Sequence, residues 1–577
     1  MKKVVVAIDF GTSGTTYAFS FSDNPKKIIT GKWNMIHEKN PTEIILDEIL
    51  NIKRFGAECK EYLGDQSSSK DTYYYFKDIK MQLYNNQKEI YSDNCGSKQP
   101  LTFVISKILL KIKEEALKAI RARNPLILDQ EIDWKVTVPA IWKNESKDIM
   151  RKACISAQIF NNDEQSTFFA LEPEAAACDY SINNPNSDAI LPGKTYIICD
   201  IGGGTVDIST HKRIEENGEI YIEEMYPPIG GNNGSSFINK RFMEEVIKKL
   251  FGKKAIDRLF KKINEPSERA EIYSDYCEFL ESIEEFKIKI SEDKKDESRR
   301  INCIVFKEFI DENQNIDNLI EKFNKCCKKN WKIPNNNGFK IYFPYQIMID
   351  LTKEVIVDPI IKYINRIIFD VPQIDSIIYA GTVSSNDYII SMIKADLSGY
   401  DIEHYLCTYP SIAVVEGAVI FGLNPHIIKK RISKYTIGIK CNEIWNDNRH
   451  GAHPEKKYFD EEDNCYRCCD VFSPIIEKNQ KISVDEIKSR NYKIKSKKTN
   501  ITFFKTLYSN VTFTDEKYLL SNKCKKFGEL IFDVGDKYDK RNKDLIIELE
   551  LGGTFISATI KYKKEKKKIN FDFAEDI

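Results

Sequence analysis

The chain has 577 residues, 87 Lys plus Arg against 87 Asp plus Glu, and 15 cysteines. That length allows more than one domain, each with a sizeable core. Zero net charge excludes a global field drawing the protein onto nucleic acid or an acidic membrane, and an odd, scattered set of cysteines suits reduced thiols better than a disulfide framework.

The first residues, MKKVVVAIDF, set two lysines before an apolar run, as a signal peptide would. Asp9 interrupts that run too early for an h-region, and no stretch reaches the uncharged length of a membrane span. A soluble, cytoplasmic protein is expected. Residues 1–21 read strand, glycine turn, strand. Apolar residues at helical spacing predict a helix over 101–121, and WKVTVPAIW (134–142) a short buried strand followed by a helix over 143–160. At 195–210, TYIICDIGGGTVDIST repeats the opening unit, which predicts two related halves facing each other. A largely helical stretch over 235–290 comes next. The polar, Asn- and Lys-rich residues 291–340 are expected to include a surface insertion. A helix over 344–369, a strand over 375–382 and a helix from near Asn386 complete this part. From about 427 the texture changes to short alternating strands with turn signals, the pattern of an all-β domain. The basic run 561–568 reads as a solvated hairpin turn. Cys465, Cys468 and Cys469, with Cys441, His450 and His453 upstream, lack a second C-x-x-C, so ordinary thiols are expected rather than zinc.

Three motifs carry chemistry. The first runs from Asp9 through Gly11, Thr12 and Ser13. A tight glycine turn can aim backbone N–H groups inward as a nest for phosphate oxygens, and the aspartate at the strand end can hold a divalent cation through its waters. Taken alone it reads equally as a plain hairpin. The second is Asp200, Gly202, Gly203, Gly204, Thr205 and Asp207. Three consecutive glycines carry an entropic cost, and a closely approaching polyphosphate would account for them. Neither motif is a P-loop or a G-x-G-x-x-G fingerprint. The third, Ala380-Gly381-Thr382, is a small-residue corner after a strand.

These residues resemble the heat-shock protein 70 family, within the actin/hexokinase-like ATPase superfamily. IDFGTSGTTYA resembles its first phosphate loop and DIGGGTVDIS its second. WKVTVPAIW, ALEPEAAA (170–177) and GAVIFGL (417–423) resemble the segments linking its lobes, and TVPAIW, ALEPEAA and GGGTVD are shared with its divergent heat shock 70 kDa protein 12 branch. The resemblance implies an α/β, two-lobed ATPase domain of duplicated ribonuclease-H-like halves over 1–426. A linker over 427–433 and a β-sandwich substrate-binding-like domain over 434–577 without a helical lid would follow. It implies ATP or ADP with Mg²⁺ as ligands, and Asp9 and Asp200 as holders of the metal. Glu172 would orient the attacking water, Thr205 would touch the γ-phosphate, and Asp207 would support the cluster. The lysine of the site falls in YYFKDIKMQL, with Lys80 preferred and Lys77 the alternative. Gly230 and Gly231, Glu284 and Lys287, and Gly381 and Thr382 would complete the nucleotide side.

The chain departs from the family at three places. Thr382 replaces a glycine and Ile288 an adenine-stacking arginine, which bears on base selectivity. Residues 426–433 are charged where the family's linker is apolar, so coupling between the parts should differ. The expected function is an ATP-binding, ATP-hydrolysing chaperone acting on a client polypeptide or a specific protein partner, with possible co-chaperones. The alternatives are a nucleotide-gated scaffold with little hydrolysis and a small-molecule kinase on the same superfold.

Overall fold

The computed structural model describes residues 2–33, 38–64, 72–160, 169–263, 269–311, 314–329, 331–334, 338–451, 453–484, 486–506, 524–539, 543–550 and 557–570. Strand Val4–Phe10 is apolar at nearly every position and buried throughout, the signature of a strand covered on both faces. It pairs in parallel with Ile132–Val138 and antiparallel with Gly14–Phe21. The sheet runs Phe169–Leu171, Ile132–Val138, Val4–Phe10, Gly14–Phe21, Ile29–Thr30, with Asn40–Pro41 pairing the turn end of Gly14–Phe21.

A second sheet repeats this order. Glu403–Leu406, Ser376–Ala380 and Thr195–Ile201 run in parallel, and Val206–Glu216 and Glu219–Gly231 continue antiparallel. Thr195–Ile201 is buried throughout, as Val4–Phe10 is. Its register sets Asp200 opposite Asp207 on one side and Ala380 on the other. The second and third motifs are thereby brought to one end of one sheet.

The sheets share a core built on helices Glu172–Asn183 and Ala413–Leu423. Val5, Ala7 and Ala18 of the first sheet and Ile198 and Ile378 of the second cluster with Ala175, Ala176, Val415 and Ala418. Small residues let the helix backbones approach closely. A Cβ on Gly417 would lie 1.7 Å from the Ala175 carbonyl oxygen.

Helix Leu101–Arg121 forms where the apolar spacing predicts it, with Val104, Ile105, Ile108, Leu109 and Ile112 buried. The expected helix over 344–369 is Tyr345–Thr352, a π-helical turn Lys353–Val357, and Asp358–Asp370. Residues 291–340 are more deeply integrated than a surface insertion. Strand Ser298–Asn302 pairs with Lys340–Pro344, and Ile301, Phe306, Phe323 and Trp331 are buried in the core under the second sheet.

Residues 427–433, expected as a bridge, form a docked strand. Ile428–Ile432 pairs in parallel with Glu219–Gly231 and antiparallel with Lys481–Ser483, extending the second sheet. The charge that sets this segment apart from an apolar linker is matched on the sheet. Lys429 meets Glu216, Lys430 meets Glu223 at 2.6 Å, and Arg431 meets Glu174 at 2.7 Å.

Beyond it, Lys457–Asp460, Cys465–Ile476, Thr436–Ile444, Lys498–Thr506 and Lys525–Asp533 form one antiparallel sheet. Ile487–Lys493, Asp544–Glu550, Ser557–Tyr562 and Glu565–Asn570 form another. Ile437, Ile501 and Phe503 of one pack with Ile547, Leu549 and Ile560 of the other. The basic run 561–568 spans the hairpin turn between Ser557–Tyr562 and Glu565–Asn570, with Lys563 at φ +53°. Among the described residues no helix is long and apolar enough to cross a membrane.

Candidate functional site

Each glycine bend follows a strand bearing an aspartate near its end, Asp9 in Val4–Phe10 and Asp200 in Thr195–Ile201. The strands hold corresponding places in the two sheets, and the bends meet. A Cβ on Gly203 would stand 2.0 Å from Ser13 Oγ, and one on Gly204 2.3 Å from Thr12 Oγ1. Only residues without side chains allow that approach. The cleft between them is lined by Asp9, Gly11, Thr12, Ser13, Lys39, Lys80, Glu172, Asp200, Gly202, Gly203, Gly204, Thr205, Gly381 and Thr382.

The second bend is held from behind by a turn that lies outside all three sequence motifs. Gly234, Ser235 and Ser236 donate their backbone amides to the carbonyls of Gly204 (3.2 Å), Gly202 (3.2 Å) and Gly203 (2.8 Å). Because a trans peptide points its N–H opposite to its C=O, the amides of Gly203, Gly204 and Thr205 point away from that turn. Gly234 must be glycine: a Cβ there would lie 2.5 Å from the backbone of Gly203 and Gly204. On the other side, Thr42 donates its hydroxyl to the Gly11 carbonyl at 2.7 Å.

The charged groups interlock. Asp9 accepts from Thr137 Oγ1 at 2.9 Å on one oxygen and from Lys39 Nζ at 2.8 Å on the other. Lys80 donates to Glu172 Oε1 at 2.6 Å, both side chains being buried. Asp207 is buried and accepts from the Ile141 amide at 3.2 Å, tying WKVTVPAIW to the second bend. Burial alone would raise the Asp9 pKa, but Lys39, Lys80 and Thr137 bring it below its ordinary value. Asp200 is pushed up to about 7 by burial and by its neighbours Asp207 and Asp9. Burial first, then Asp207 and Asp9 against the opposing Lys80, pushes Glu172 up to about 8. Burial works to lower the Lys80 pKa, yet Glu172 and Asp9 raise it, so the ammonium stays protonated.

The structure places Lys80 in the cleft and Lys77 outside it. Asp78, at φ +52°, turns the chain between strand Tyr73–Phe76 and helix Ile79–Tyr84, and Lys77 pairs with Asp93 at 3.5 Å. Gly230 and Gly231 do not line the cleft. They pair with Asp207 and Val206 and support the second bend from outside. Glu284 and Lys287 pair with each other at 2.7 Å, and Asn239 donates to Glu284 at 2.7 Å. Their helix, Arg269–Ile288, ends beside the Gly381 corner, where Asn386 donates to the Ile288 carbonyl at 3.1 Å. Ile288 is exposed. Gly381 has φ +85° and lies against Asp200. At the cysteine cluster, Cys468 is buried with Val471 beside Cys441 and Trp445. Among the described residues no group of three or more His, Cys, Asp or Glu side chains stands as a metal cage.

Asp9, Glu172 and Asp200 outnumber Lys39 and Lys80 along this cleft. Hard carboxylate oxygens in excess, beside two backbone cradles, fit a hydrated divalent cation bound together with a polyphosphate. The cleft is partly open to solvent and holds about 490 Å³ of space between the protein atoms and the solvent.

No protein-family profile matches the chain. Individual proteins do. It is 25% identical to heat shock 70 kDa protein 12A of Mus musculus, over 96% of this chain and 89% of that protein. It is 24% identical to heat shock 70 kDa protein 12B of Homo sapiens, over 85% of this chain and 78% of that protein. Chaperone protein HscA of Buchnera aphidicola is 24% identical over 56% of this chain and 49% of its own length.

Proposed function

The chain groups with the heat-shock-70 family, through its heat shock 70 kDa protein 12 branch, and on that premise we propose that it binds ATP with Mg²⁺ between the two bends and hydrolyses it slowly. The observation carrying this reading is the direct meeting of the Gly11–Ser13 and Gly202–Gly204 bends beside the buried Lys80–Glu172 pair. In this reading the amides of both bends and the Thr205 hydroxyl hold phosphate oxygens. Glu172, aimed by Lys80, orients the attacking water. The Lys80 ammonium stabilises charge that develops on the transferred phosphoryl group. Mg²⁺, when bound, neutralises polyphosphate charge, and Asp9 and Asp200 would hold it through its waters.

The β-sheets offer a place for a polypeptide client or a specific protein partner. A cleft of about 720 Å³ is floored by Ile439, Ile494, Ile501, Leu545 and Ile547, with Lys440, Arg490, Lys493 and Lys498 at its rim. Ile487–Lys493 is the edge strand of its sheet, open to pairing with an extended segment. A cytoplasmic setting suits the cysteines, none of which forms a disulfide among the described residues.

Calorimetry with ATP, ADP and GTP, with and without Mg²⁺, tests the reading together with a phosphate-release assay. Asp200→Asn should abolish turnover; indistinguishable turnover in that variant would sink the proposal. The Cβ of Thr382 at the nucleoside corner favours a second reading, a nucleotide-gated binding protein with negligible hydrolysis. It expects ATP to raise the melting temperature without phosphate release.

A further inference from the structure

Lys39 was not singled out by any motif, yet it is the side chain that neutralises Asp9. Its ammonium lies 2.8 Å from Asp9 Oδ2, and its side chain is 24% exposed against 6% for the aspartate. Its place is set by the fold rather than by a loop excursion. Asn40–Pro41 pairs antiparallel with Thr15 and Gly14, so the residue just before it is pinned to the first bend. Gly14 and Lys39 approach so closely that a Cβ on Gly14 would stand 3.1 Å from Lys39 Cβ. Thr42, three residues on, bonds both the Gly11 carbonyl (2.7 Å) and Thr15 Oγ1 (2.8 Å). The other Asp9 oxygen is already committed to Thr137.

We propose that Lys39 is a tethered cation that takes over part of the divalent metal's role, competing for Asp9 and standing ready to face a phosphate. The inference rests on the nucleotide reading above. An ammonium on a four-carbon stem can stay on Asp9 or turn to a phosphate oxygen entering the same cleft, carrying one positive charge to the polyphosphate in either position. Even with partial solvent screening, one such charge at about 4 Å favours the bound polyphosphate. Nucleotide binding by this chain therefore depends less on Mg²⁺ than the paired carboxylates alone would dictate. Removal of the lysine leaves Asp9 and Asp200 with only the Glu172-paired Lys80 as a nearby cation among the described residues, a site that needs the divalent ion more.

The experiment is calorimetric titration of the full chain with ADP and ATP, in excess EDTA and in excess Mg²⁺. Wild type, Lys39→Met and Lys39→Arg are compared, with the melting temperature of each recorded. Wild type and Lys39→Arg should bind in EDTA within about tenfold of their affinity in Mg²⁺, whereas Lys39→Met should lose at least about tenfold more in EDTA and recover most of it in Mg²⁺. An equal Mg²⁺ dependence in all three proteins overturns the role of Lys39 and leaves the nucleotide site standing. Absence of nucleotide binding in wild type under both conditions overturns the nucleotide reading and this inference with it.

Discussion

Glu174 receives the Arg431 guanidinium in two hydrogen bonds of 2.7 Å each, joining the start of helix Glu172–Asn183 to the docked strand Ile428–Ile432. The pair is nearly buried, and Glu224 accepts from the Ile432 amide at 2.6 Å beside it. Glu172, paired with Lys80 in the cleft, lies on the same helical turn as Glu174. Displacement of the strand would therefore act on the residue assigned to the attacking water through one helix start.

Arg431→Met leaves Glu174 buried without its counter-charge, a change that costs about 3–5 kcal/mol in comparable buried pairs. The expected result is a lower melting temperature and faster hydrogen exchange at the Ile432 amide. ATP turnover should shift with it. A double-mutant cycle with Glu174→Gln should return a coupling of at least about 1 kcal/mol. Unchanged exchange across Ile428–Ile432 would show that the ion pair does not hold the strand.

Lys80→Met should lower the rate of phosphate release by about 10²–10³, the loss typical of one removed charge-stabilising group. Lys77→Met, whose side chain pairs with Asp93 outside the cleft, should stay within about twofold of wild type. Single-turnover kinetics on both variants decides between them. Equal losses would contradict the placement of Lys80.

His211 is buried, and burial, with Arg431 adding to it against Glu174, pushes its pKa down to about 4. The unfolded chain takes up that proton near the ordinary value of about 6.5, and the folded chain does so only near 4. The stability contributed is full above pH 6.5 and is lost as pH falls toward 4. At 1.36 kcal/mol per pH unit this is at most about 3 kcal/mol. Melting temperature against pH should fall across that window in wild type and stay flatter in His211→Asn. Parallel curves would remove His211 as the cause.

Gly381→Ala should impair the site and the fold together. Gly381 has φ +85°, and an added Cβ would meet Asp200 Oδ1 and the Ile201 carbonyl oxygen, each at 2.4 Å. Strain of about 1–3 kcal/mol is expected, with nucleotide affinity falling as Asp200 is displaced. Thr382→Gly, at the neighbouring position, should instead keep or improve affinity. Calorimetry on both variants reads the contrast, and tight binding by Gly381→Ala would show that the corner yields.

Much of the scaffold was legible from local pattern. The two bends, the fully apolar strands that carry them and helix Leu101–Arg121 each depend on residues close together in the chain, where propensity and periodicity act directly. The polar stretch 291–340 was read by composition, yet Phe306, Phe323 and Trp331 within it are buried. A few well-spaced apolar residues decide burial even where polar residues dominate the count. The charged segment 427–433 misled for a related reason, because its lysines and arginine are matched by Glu216, Glu223 and Glu174, which lie about two hundred residues or more upstream.

By itself the sequence determined that two glycine bends, each led by an aspartate, would exist, because a tight turn is specified by its own residues. Only the tertiary structure decided that they touch, that Lys80 rather than Lys77 enters the cleft, and that Lys39, Thr137 and Gly234 join them. Those outcomes depend on strand register and on which way a side chain leaves its backbone. Both are settled by packing between segments from 30 residues apart, as between Asp9 and Lys39, to 128 apart, as between Asp9 and Thr137, and no local pattern encodes them.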